Sequence, residues 1–267
     1  MDTSEIWEMC REALLVAQKT LKSLGEVGIS ELEEHVTDIS TEGDISVSRS
    51  LIEFFRDKIP AILYSEESGR IKLSDKPLYT ITFDDIDGTY NYHRGRGVLP
   101  YCTVITVFDS TEPRFRDALV AAVLEHNSSK IWHAIRGEGT YLNGSRVRTS
   151  GMKELNRRTL IAVDHYSNPD YIQNLLPIYT RAWVKDFGSS ALHLAGVSSG
   201  LLDGFLNPSH KAHELGAGYL LVKEAGGHIS DLEGKPIDDV IYDFDRRYPV
   251  VAASTEELGE RIISVLK

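Results

Sequence analysis

The sequence is poor in cysteine, in long apolar runs and in positive charge. Its two cysteines, Cys10 and Cys102, are too few and too far apart for a disulfide framework or a zinc site, so reduced thiols are expected. No apolar run approaches the roughly 18 residues that a membrane-spanning helix needs. The opening residues MDTSEIWEMC are acidic where a secretory signal is basic. These features predict a cytoplasmic protein with no membrane partner.

The balance of charge excludes one class of partner. The 29 lysines and arginines are outnumbered by 40 aspartates and glutamates, which gives a formal net charge of -11 at pH 7. A protein that binds a nucleic-acid polymer neutralises phosphates over a broad basic face, and this composition argues against such a face. A pocket lined by metal ions can still attract an anion, so a small phosphorylated ligand is not excluded.

The chain has 267 residues, of which 42% are hydrophobic, enough for one large domain or two packed halves. Apolar residues between positions 6 and 24 recur at three- and four-residue spacing, which predicts an amphipathic helix that ends near Gly25. A second helix is expected to begin at Asp44. The segment 25–43 has little periodicity and is predicted to be a loop.

The rest of the chain divides into a sheet-rich part and an alternating part. Short β-type runs from residue 61 to about 149 predict a sheet, which ends in a hairpin turn at Asn143-Gly144. Beyond it, β-type runs alternate with helical patterns to the C-terminus. We therefore expect layers of helix and sheet in two halves, 1–150 and 151–267, with any active site between them.

Three neighbouring carboxylates follow the β-type run LYTITF. Asp84, Asp85 and Asp87 would repel one another if they were buried, and a bound cation such as Mg²⁺ is the simplest remedy. The Gly88-Thr89 step that follows can expose backbone N–H groups to a phosphate. An acid-rich turn with solvated side chains is the alternative interpretation.

Further acidic residues occur at the ends of other predicted elements. Glu66 and Glu67 follow the β-type run AILY, and they would meet the aspartates if the two strands are neighbours. Glu214 falls in the first turn of a predicted helix, where the helix dipole favours a carboxylate. Asp44 also lies at a predicted helix start, and its spacing alone indicates an N-cap.

The letters DIDGT match the first motif of the haloacid-dehalogenase-like phosphatases, in which the first aspartate, here Asp85, is a covalent nucleophile. That family places the motif near the start of the chain and an acidic metal loop with a Gly-Asp pair downstream. Here the motif begins at residue 85, and Gly43-Asp44 lies upstream of it. This interpretation is therefore the weaker one.

Taken together, several motifs resemble those of the inositol monophosphatase family. They are, in chain order, TDISTEGD, SEES, DDIDGTYNY, GEGTYLNGSRVRTS, GSSALHLAGVSSGLLDGFL and HELGAGYLLVKEAGG. Their order and spacing cover almost the full chain. The resemblance implies an α+β fold, a layered α-β-α-β-α sandwich whose N-terminal half carries most of the metal ligands.

The resemblance also implies a role for each matching position. The implied ligands of two or three Mg²⁺ ions are Glu66, Asp84, Asp87, Glu214 and the Ile86 carbonyl. Gly88 and Thr89 would bind the phosphate, Thr89 and Asp44 would orient the attacking water, and Glu67 would support the site. The substrate side of the cleft would be lined by Gly188, Ser189, Ser190 and Asn207.

The chain departs from the family pattern at four positions. Asp85 replaces a proline, and continuation of the strand would point its side chain away from Asp84. His213-Glu214 replaces a Trp-Asp pair, which keeps the charge but lengthens the carboxylate side chain. Asn207 replaces a glutamate that contacts a substrate hydroxyl. From the residues alone, His210 and His213 are interpreted as ordinary histidines rather than metal ligands.

The sequence thus predicts a Mg²⁺-dependent phosphomonoesterase that hydrolyses a small sugar or polyol phosphate by a metal-activated water. Inositol 1-phosphate, fructose 1,6-bisphosphate or both are the expected substrates, and a homodimer is the expected assembly. One alternative is a nucleotide-directed phosphatase of the same fold, acting on 3'-phosphoadenosine 5'-phosphate or NADP. The other is a non-catalytic protein that binds sugar phosphates.

Overall fold

The computed structural model describes residues 1–34, 39–95, 97–164 and 169–266. Its helices are α1 (Thr3–Leu24), α2 (Glu42–Phe55), α3 (Thr89–Gly95), α4 (Pro169–Tyr179), α5 (Ser190–Ser198), α6 (Ala212–Glu224) and α7 (Glu256–Leu266). Its strands are β1 (Glu31–Glu34), β2 (Ile39–Thr41), β3 (Ala61–Ser65), β4 (Gly69–Lys72), β5 (Tyr79–Asp87), β6 (Cys102–Phe108), β7 (Ala118–Glu125), β8 (Lys130–Ile135), β9 (Gly139–Leu142), β10 (Ser145–Val147), β11 (Leu160–Val163), β12 (Trp183–Lys185), β13 (Gly204–Lys211), β14 (His228–Ser230) and β15 (Arg247–Ala253).

Two sheets form the framework of the fold. Among the described residues, the larger sheet has eight strands in the order β10-β9-β8-β7-β6-β5-β3-β4, and the smaller has five in the order β12-β11-β13-β15-β14. The larger sheet is antiparallel except for the β3–β5 pair, which is parallel. In the smaller sheet β11 runs parallel to both β12 and β13.

Helices cover both outer faces and fill the space between the sheets. Helices α1 and α2 pack on the outer face of the larger sheet, and α4 and α7 pack on the outer face of the smaller one. Helices α5 and α6 lie between the sheets in the largest apolar core. Glycines in α6 permit this close packing, since a Cβ at Gly218 would lie 2.1 Å from Leu194 Cδ1 of α5. The predicted α-β-α-β-α sandwich is confirmed.

Several element boundaries agree with the sequence patterns. Helix α1 ends at Leu24 with Gly25 as its C-cap, as predicted. The predicted hairpin joins β9 to β10 through Asn143 and Gly144, which have φ angles of 49° and 77°. These positive φ angles suit a tight hairpin turn and explain the Asn-Gly pair. The larger sheet lies within residues 61–147 and the smaller within 160–253, whereas the division into two halves at residue 150 remains a prediction.

Other predictions were wrong. Helix α2 begins at Glu42 rather than Asp44, because Thr41 is its N-cap and Asp44 occupies the third helical position in a capping box. The predicted loop 25–43 contains a 3₁₀ turn, Gly25–Ile29, and the antiparallel strands β1 and β2, while its residues 35–38 lie outside the described ranges. In the part of the chain that is described, no helix is long and apolar enough to cross a bilayer.

Candidate active site

The acidic residues of the sequence motifs meet at one edge of the larger sheet. Strands β3 and β5 are parallel neighbours, with Ser65 opposite Phe83, so Glu66 and Asp84 follow these residues at the same end of the sheet. The pairing of β5 with β6 is irregular between Asp84 and Asp87. At this bulge the side chains of β5 no longer alternate regularly between the two faces of the sheet, so Asp84 and Asp87 can both reach one cluster.

Asp84, Asp87 and Glu214 form the centre of the site. Each offers a carboxylate oxygen within 4.8 Å of the others, and the residues are only 2%, 6% and 5% exposed. Glu214 reaches the cluster from the first turn of α6. Burial, together with the charges of Glu66, Glu214 and Asp87, raises the pKa of Asp84 well above its ordinary value. Burial and the charge of Glu214 raise the pKa of Asp87 to about 7.

This arrangement suits a hard divalent cation. Buried carboxylates that repel one another are unfavourable unless a positive charge lies between them, and oxygen donors are the ligands that Mg²⁺ prefers. His210 partly offsets the negative charge of Glu214, because its Nδ1 lies 3.2 Å from Glu214 Oε2. Burial would raise the pKa of Glu214, but the hydrogen bond and charge of His210 outweigh it and lower the pKa. The donor set therefore fits the metal that the sequence implied.

Asp87 also connects the two sides of the site. Its Oδ2 accepts hydrogen bonds from Ser189 Oγ at 2.6 Å and from the Ala191 N–H at 2.8 Å, and its Oδ1 accepts one from the Ser190 N–H at 3.3 Å. Ser189 is the N-cap of α5. The start of α5 is thereby fixed to the end of β5, which places Ser189 and Ser190 beside the acidic centre.

A second polar pair lies next to this centre. Asp44 Oδ2 accepts hydrogen bonds from the Thr41 N–H at 2.8 Å and from Thr41 Oγ1 at 2.5 Å. Thr89 Oγ1 lies 2.9 Å from the Ile86 carbonyl and 3.4 Å from Asp44 Oδ1, so its proton can be shared between them. Burial raises the pKa of Asp44 to about 7, although its hydrogen bonds to Thr41 oppose the rise.

Two glycines allow the backbones of the two sides to approach each other. Gly88 has a φ of 91°, and a Cβ there would lie 3.0 Å from the carbonyl oxygen of Gly188. Gly188 has a φ of 68°, and a Cβ there would lie 3.0 Å from the amide of Asn91. The Asn91 side chain in turn donates to the Phe187 and Pro100 carbonyls. Any larger residue at Gly88 or Gly188 would therefore force the two segments apart.

Glu66 faces two basic side chains. Lys211 Nζ lies 2.5 Å from Glu66 Oε1, and His213 Nε2 lies 3.2 Å from Glu66 Oε2. Burial would raise the pKa of Glu66, but attraction to His213 and Lys211 outweighs it, so the pKa is well below its usual range. Glu67 lies in the exposed turn after β3, and its charge contributes to the raised pKa of Asp44.

Asp85 belongs to a different environment from Asp84. Its Oδ2 accepts a hydrogen bond from Ser65 Oγ at 3.2 Å, and its buried Oδ1 has no hydrogen-bond partner among the described residues. Burial and the nearby charges of Asp44 and Glu66 raise its pKa well above the ordinary value. Asp85 is therefore not a member of the Asp84-Asp87-Glu214 group.

The sequence patterns did not single out Asp164, which follows β11. Its carboxylate accepts hydrogen bonds from Ser190 Oγ at 2.6 Å, from His193 Nδ1 at 2.9 Å and from the Asn207 amide. The other ring nitrogen of His193 accepts from the Phe187 N–H at 2.8 Å. Burial would raise the pKa of Asp164, but the contact with His193 outweighs it and lowers the pKa. The contact with His193 therefore favours the charged form of Asp164.

This network determines how Asn207 is held. The Asn207 amide nitrogen donates to Asp164, and its oxygen accepts from the Ser209 N–H at 2.7 Å. Strands β11 and β13 are parallel neighbours, so Asp164 and Asn207 lie at the same end of the smaller sheet. The sequence shows Asp164 directly after a β-type run, but its contact with Asn207 could not be predicted without knowing that β13 lies beside β11.

The two histidines predicted to be ordinary differ from each other. His210 shares its Nδ1 between the Lys211 carbonyl at 2.7 Å and Glu214, whereas its buried Nε2 has no hydrogen-bond partner among the described residues, so only one of its nitrogens agrees with the prediction. His213 is buried, yet neither of its ring nitrogens has a hydrogen bond among the described residues. The prediction of a satisfied or solvated histidine was wrong for His213, because α6 directs its ring into the acidic site.

The fold and this site define a class: layered α+β proteins with a buried acidic centre, suited to a divalent cation, between two sheets. A model of the inositol monophosphatase family matches residues 3–267. The chain belongs to the inositol monophosphatase family.

Individual relatives agree with this assignment. The chain is 30% identical over 203 residues to the Nus factor SuhB of Escherichia coli K12, covering 74% of this chain and 73% of that protein. It is 28% identical over 218 residues to the fructose-1,6-bisphosphatase/inositol-1-monophosphatase of Methanothermobacter thermautotrophicus, covering 78% and 76%. The crystal structure of the extragenic suppressor protein suhB from Bartonella henselae has the same fold, with a TM-score of 0.86 and 22% identity over 98% of both chains. Relatives with phosphatase names support phosphoric monoester hydrolysis for this chain.

Proposed function

We propose that this protein is a Mg²⁺-dependent phosphomonoesterase that hydrolyses a small sugar or polyol phosphate. The observation that carries the proposal is the convergence of Asp84, Asp87 and Glu214 within 4.8 Å, beside the Asp44-Thr89 pair. The predicted substrates are inositol 1-phosphate, fructose 1,6-bisphosphate or both.

The proposed metal ligands are Glu66, Asp84, Asp87, Glu214 and the Ile86 carbonyl. Two or three bound Mg²⁺ ions would neutralise these carboxylates, lower the pKa of a bound water and stabilise charge on the phosphate and the leaving oxygen. Burial strengthens the attraction between the carboxylates and any cation. Because burial and the neighbouring acids raise the pKa values of Asp84 and Asp87, binding of a cation would displace protons from this site.

The remaining roles fall to residues beside the acidic centre. Asp44 Oδ1 and the hydroxyl of Thr89 are 3.4 Å apart, a geometry in which Thr89 can orient a water and pass a proton toward Asp44. Gly88 and Thr89, at the start of α3, are proposed to bind the phosphate. Glu67 is proposed to support the site through its negative charge, which helps to raise the pKa of Asp44.

The substrate end is proposed to be formed by Gly188, Ser189, Ser190 and Asn207. Ser190 and Asn207 both donate to the carboxylate of Asp164. A carboxylate behind these groups attracts the hydrogens of substrate hydroxyls. This arrangement favours the hydroxyl-rich part of a sugar or polyol next to Asn207 and Ser190.

A phosphate-release panel tests the proposal and its closest rival. The substrates are inositol 1-phosphate, fructose 1,6-bisphosphate, 3'-phosphoadenosine 5'-phosphate and NADP, each with Mg²⁺ and with EDTA. We expect release from the first two in Mg²⁺ only, and a loss of about 100-fold or more in Glu214→Ala, because a group that stabilises transition-state charge is removed. The matched control is Glu256→Ala, an exposed glutamate in the first turn of α7, which should retain activity. Preferential release from the two nucleotides would instead identify a nucleotide-directed phosphatase.

A non-catalytic sugar-phosphate-binding protein is the second candidate, favoured by the contact between Lys211 and Glu66. An ammonium group 2.5 Å from Glu66 Oε1 already supplies positive charge to one of the proposed metal ligands. If Lys211 substitutes for a metal ion, substrates should bind without turnover. Detectable binding of inositol 1-phosphate by calorimetry, with no phosphate release at any Mg²⁺ concentration, would establish this alternative.

We further propose a homodimer and a cytoplasmic location. Exposed apolar side chains occur on α4 and on the edge strand β12 that contacts it, and they include Ile172, Leu176, Tyr179 and Trp183. An exposed apolar face at a sheet edge is suited to association with a second copy. Light scattering should show a dimer for the wild type and a monomer for Trp183→Glu. The buried, free cysteines agree with a reducing compartment.

A further inference from the structure

His213 is a buried polar side chain of the site to which the roles above assign no function. It lies in the first turn of α6, next to Glu214, and is only 7% exposed. Its Nε2 is 3.2 Å from Glu66 Oε2 but outside hydrogen-bonding geometry, and its Nδ1 also lacks a hydrogen bond among the described residues. A buried imidazole without a hydrogen bond is costly and calls for a partner.

The surroundings of His213 form a second group of ligand atoms. Glu66, Asp84 and His213 each offer one ligand atom, and these atoms lie within 4.8 Å of one another. Asp84 belongs both to this group and to the group formed with Asp87 and Glu214. The two groups are therefore adjacent and share one carboxylate, as in sites where a carboxylate serves two neighbouring cations.

Two further contacts orient the His213 ring and the Glu66 carboxylate. The His213 ring packs against Phe244, with ring centroids 5.0 Å apart, which limits its rotation. Lys211 contacts Glu66 Oε1, so Oε2 is the oxygen directed toward the imidazole. His193 provides a contrast within the same site, because hydrogen bonds to Asp164 and to the Phe187 N–H occupy both of its ring nitrogens.

We propose that His213 is a nitrogen ligand to a divalent cation held with Glu66 and Asp84. The inference rests on the proposed metal-dependent function and adds to it the identity of the preferred metal. Imidazole suits first-row transition metals better than it suits Mg²⁺, whose ligands are mostly oxygen. This position therefore selects Mn²⁺, Co²⁺ or Zn²⁺ over Mg²⁺, while the group of Asp84, Asp87 and Glu214 retains an all-oxygen donor set.

Electron spin-echo envelope modulation of the Mn²⁺-loaded full-length protein tests the inference without any activity measurement. Directly coordinated ¹⁴N produces modulation that an all-oxygen site lacks. We expect ¹⁴N modulation in the wild type, its replacement by the ¹⁵N pattern after labelling with ¹⁵N-histidine, and its loss in His213→Phe. Phenylalanine keeps a ring against Phe244, and if this variant does not fold, the wild-type labelling experiment still tests whether a histidine coordinates the metal.

The matched control is His133→Phe. His133 is a buried histidine on β8 whose ring stacks with Trp7 and Tyr141, away from the acidic groups, so its replacement should leave the modulation unchanged. Calorimetry should show at least about tenfold weaker Mn²⁺ binding in His213→Phe, with a smaller change for Mg²⁺. Loss of a residue that merely orients a ligand already costs about this much.

The outcomes separate this inference from the proposed function. Bound Mn²⁺ without ¹⁴N modulation, or modulation that persists in His213→Phe, would overturn the role of His213 and leave the phosphatase proposal intact. Failure of the wild type to bind either Mn²⁺ or Mg²⁺ would contradict both.

Discussion

Replacement of Asp87 by asparagine distinguishes a cation-binding carboxylate from one that only holds α5 in place. Asp87 accepts hydrogen bonds from Ser189 Oγ and the Ala191 N–H, so a purely structural role predicts that Asp87→Asn destabilises the protein under all conditions. A metal-binding role predicts a different result. In the metal-free protein the charge on Asp87 destabilises the folded state, because Glu214 and Asp84 lie beside it.

The size of this destabilisation follows from the pKa of Asp87. Burial and the charge of Glu214 raise this pKa from 3.8 to about 7. The folded state therefore binds more protons than the unfolded state between these values, so stability falls as pH rises through this range. The full cost, about 4 kcal/mol, is present above pH 7. Asparagine resembles the neutral acid and removes this cost, and the hydrogen bonds from Ser189 and Ala191 already contribute to the pKa, so the net gain is up to about 4 kcal/mol.

Urea unfolding at pH 8 measures the difference. In EDTA, Asp87→Asn should be more stable than the wild type by up to about 4 kcal/mol, and the two should converge near pH 4. In saturating Mg²⁺ the order should reverse, because binding stabilises only the wild type. A variant that is less stable than the wild type in EDTA at pH 8 would refute the reasoning and favour a structural role for Asp87.

Three further predictions address packing, acid stability and catalysis. Gly218→Ala should destabilise the protein by about 1 to 3 kcal/mol in urea unfolding, because the new methyl group would overlap Leu194 between α5 and α6. Burial lowers the pKa of His126 to about 3, so protonation of this one group removes up to about 5 kcal/mol of stability as pH falls from 6.5 toward 3, against the gain from Asp87. In urea titrations His126→Gln should therefore become more stable relative to the wild type as pH falls over this range. Thr89→Val should lower kcat about 100-fold while Mg²⁺ binding measured by calorimetry is kept, whereas Thr89→Ser should retain activity.

Local patterns accounted for much of the fold. The apolar spacing of α1 and the Asn143-Gly144 turn depend on neighbouring residues, and both could be predicted from the sequence. The start of α2 was misplaced because two residues of one capping box, Thr41 and Asp44, can each serve as an N-cap. The strands β1 and β2 were missed because short strands of 3 and 4 residues show too few alternations for a period to be recognised.

The site was harder to predict from the sequence than the fold, because it depends on which strands and helices are neighbours. The meeting of Glu66 with Asp84 could be expected once their strands were assumed to be adjacent, and the parallel pairing of β3 and β5 supplies that adjacency. The network of Asp164 with Asn207 requires the pairing of β11 with β13, which no local pattern indicates. The environment of His213 likewise arises from three distant segments. The roles of these residues in binding and catalysis remain predictions.

Phosphate release from inositol 1-phosphate and fructose 1,6-bisphosphate by the purified protein, measured as Mg²⁺ is titrated into an EDTA-treated sample, tests the central claim most directly. The account predicts no release before metal is added, a rise with Mg²⁺ to saturation, and no rise in Asp84→Asn. Release that is independent of divalent cations, or equal release by Asp84→Asn, would contradict it.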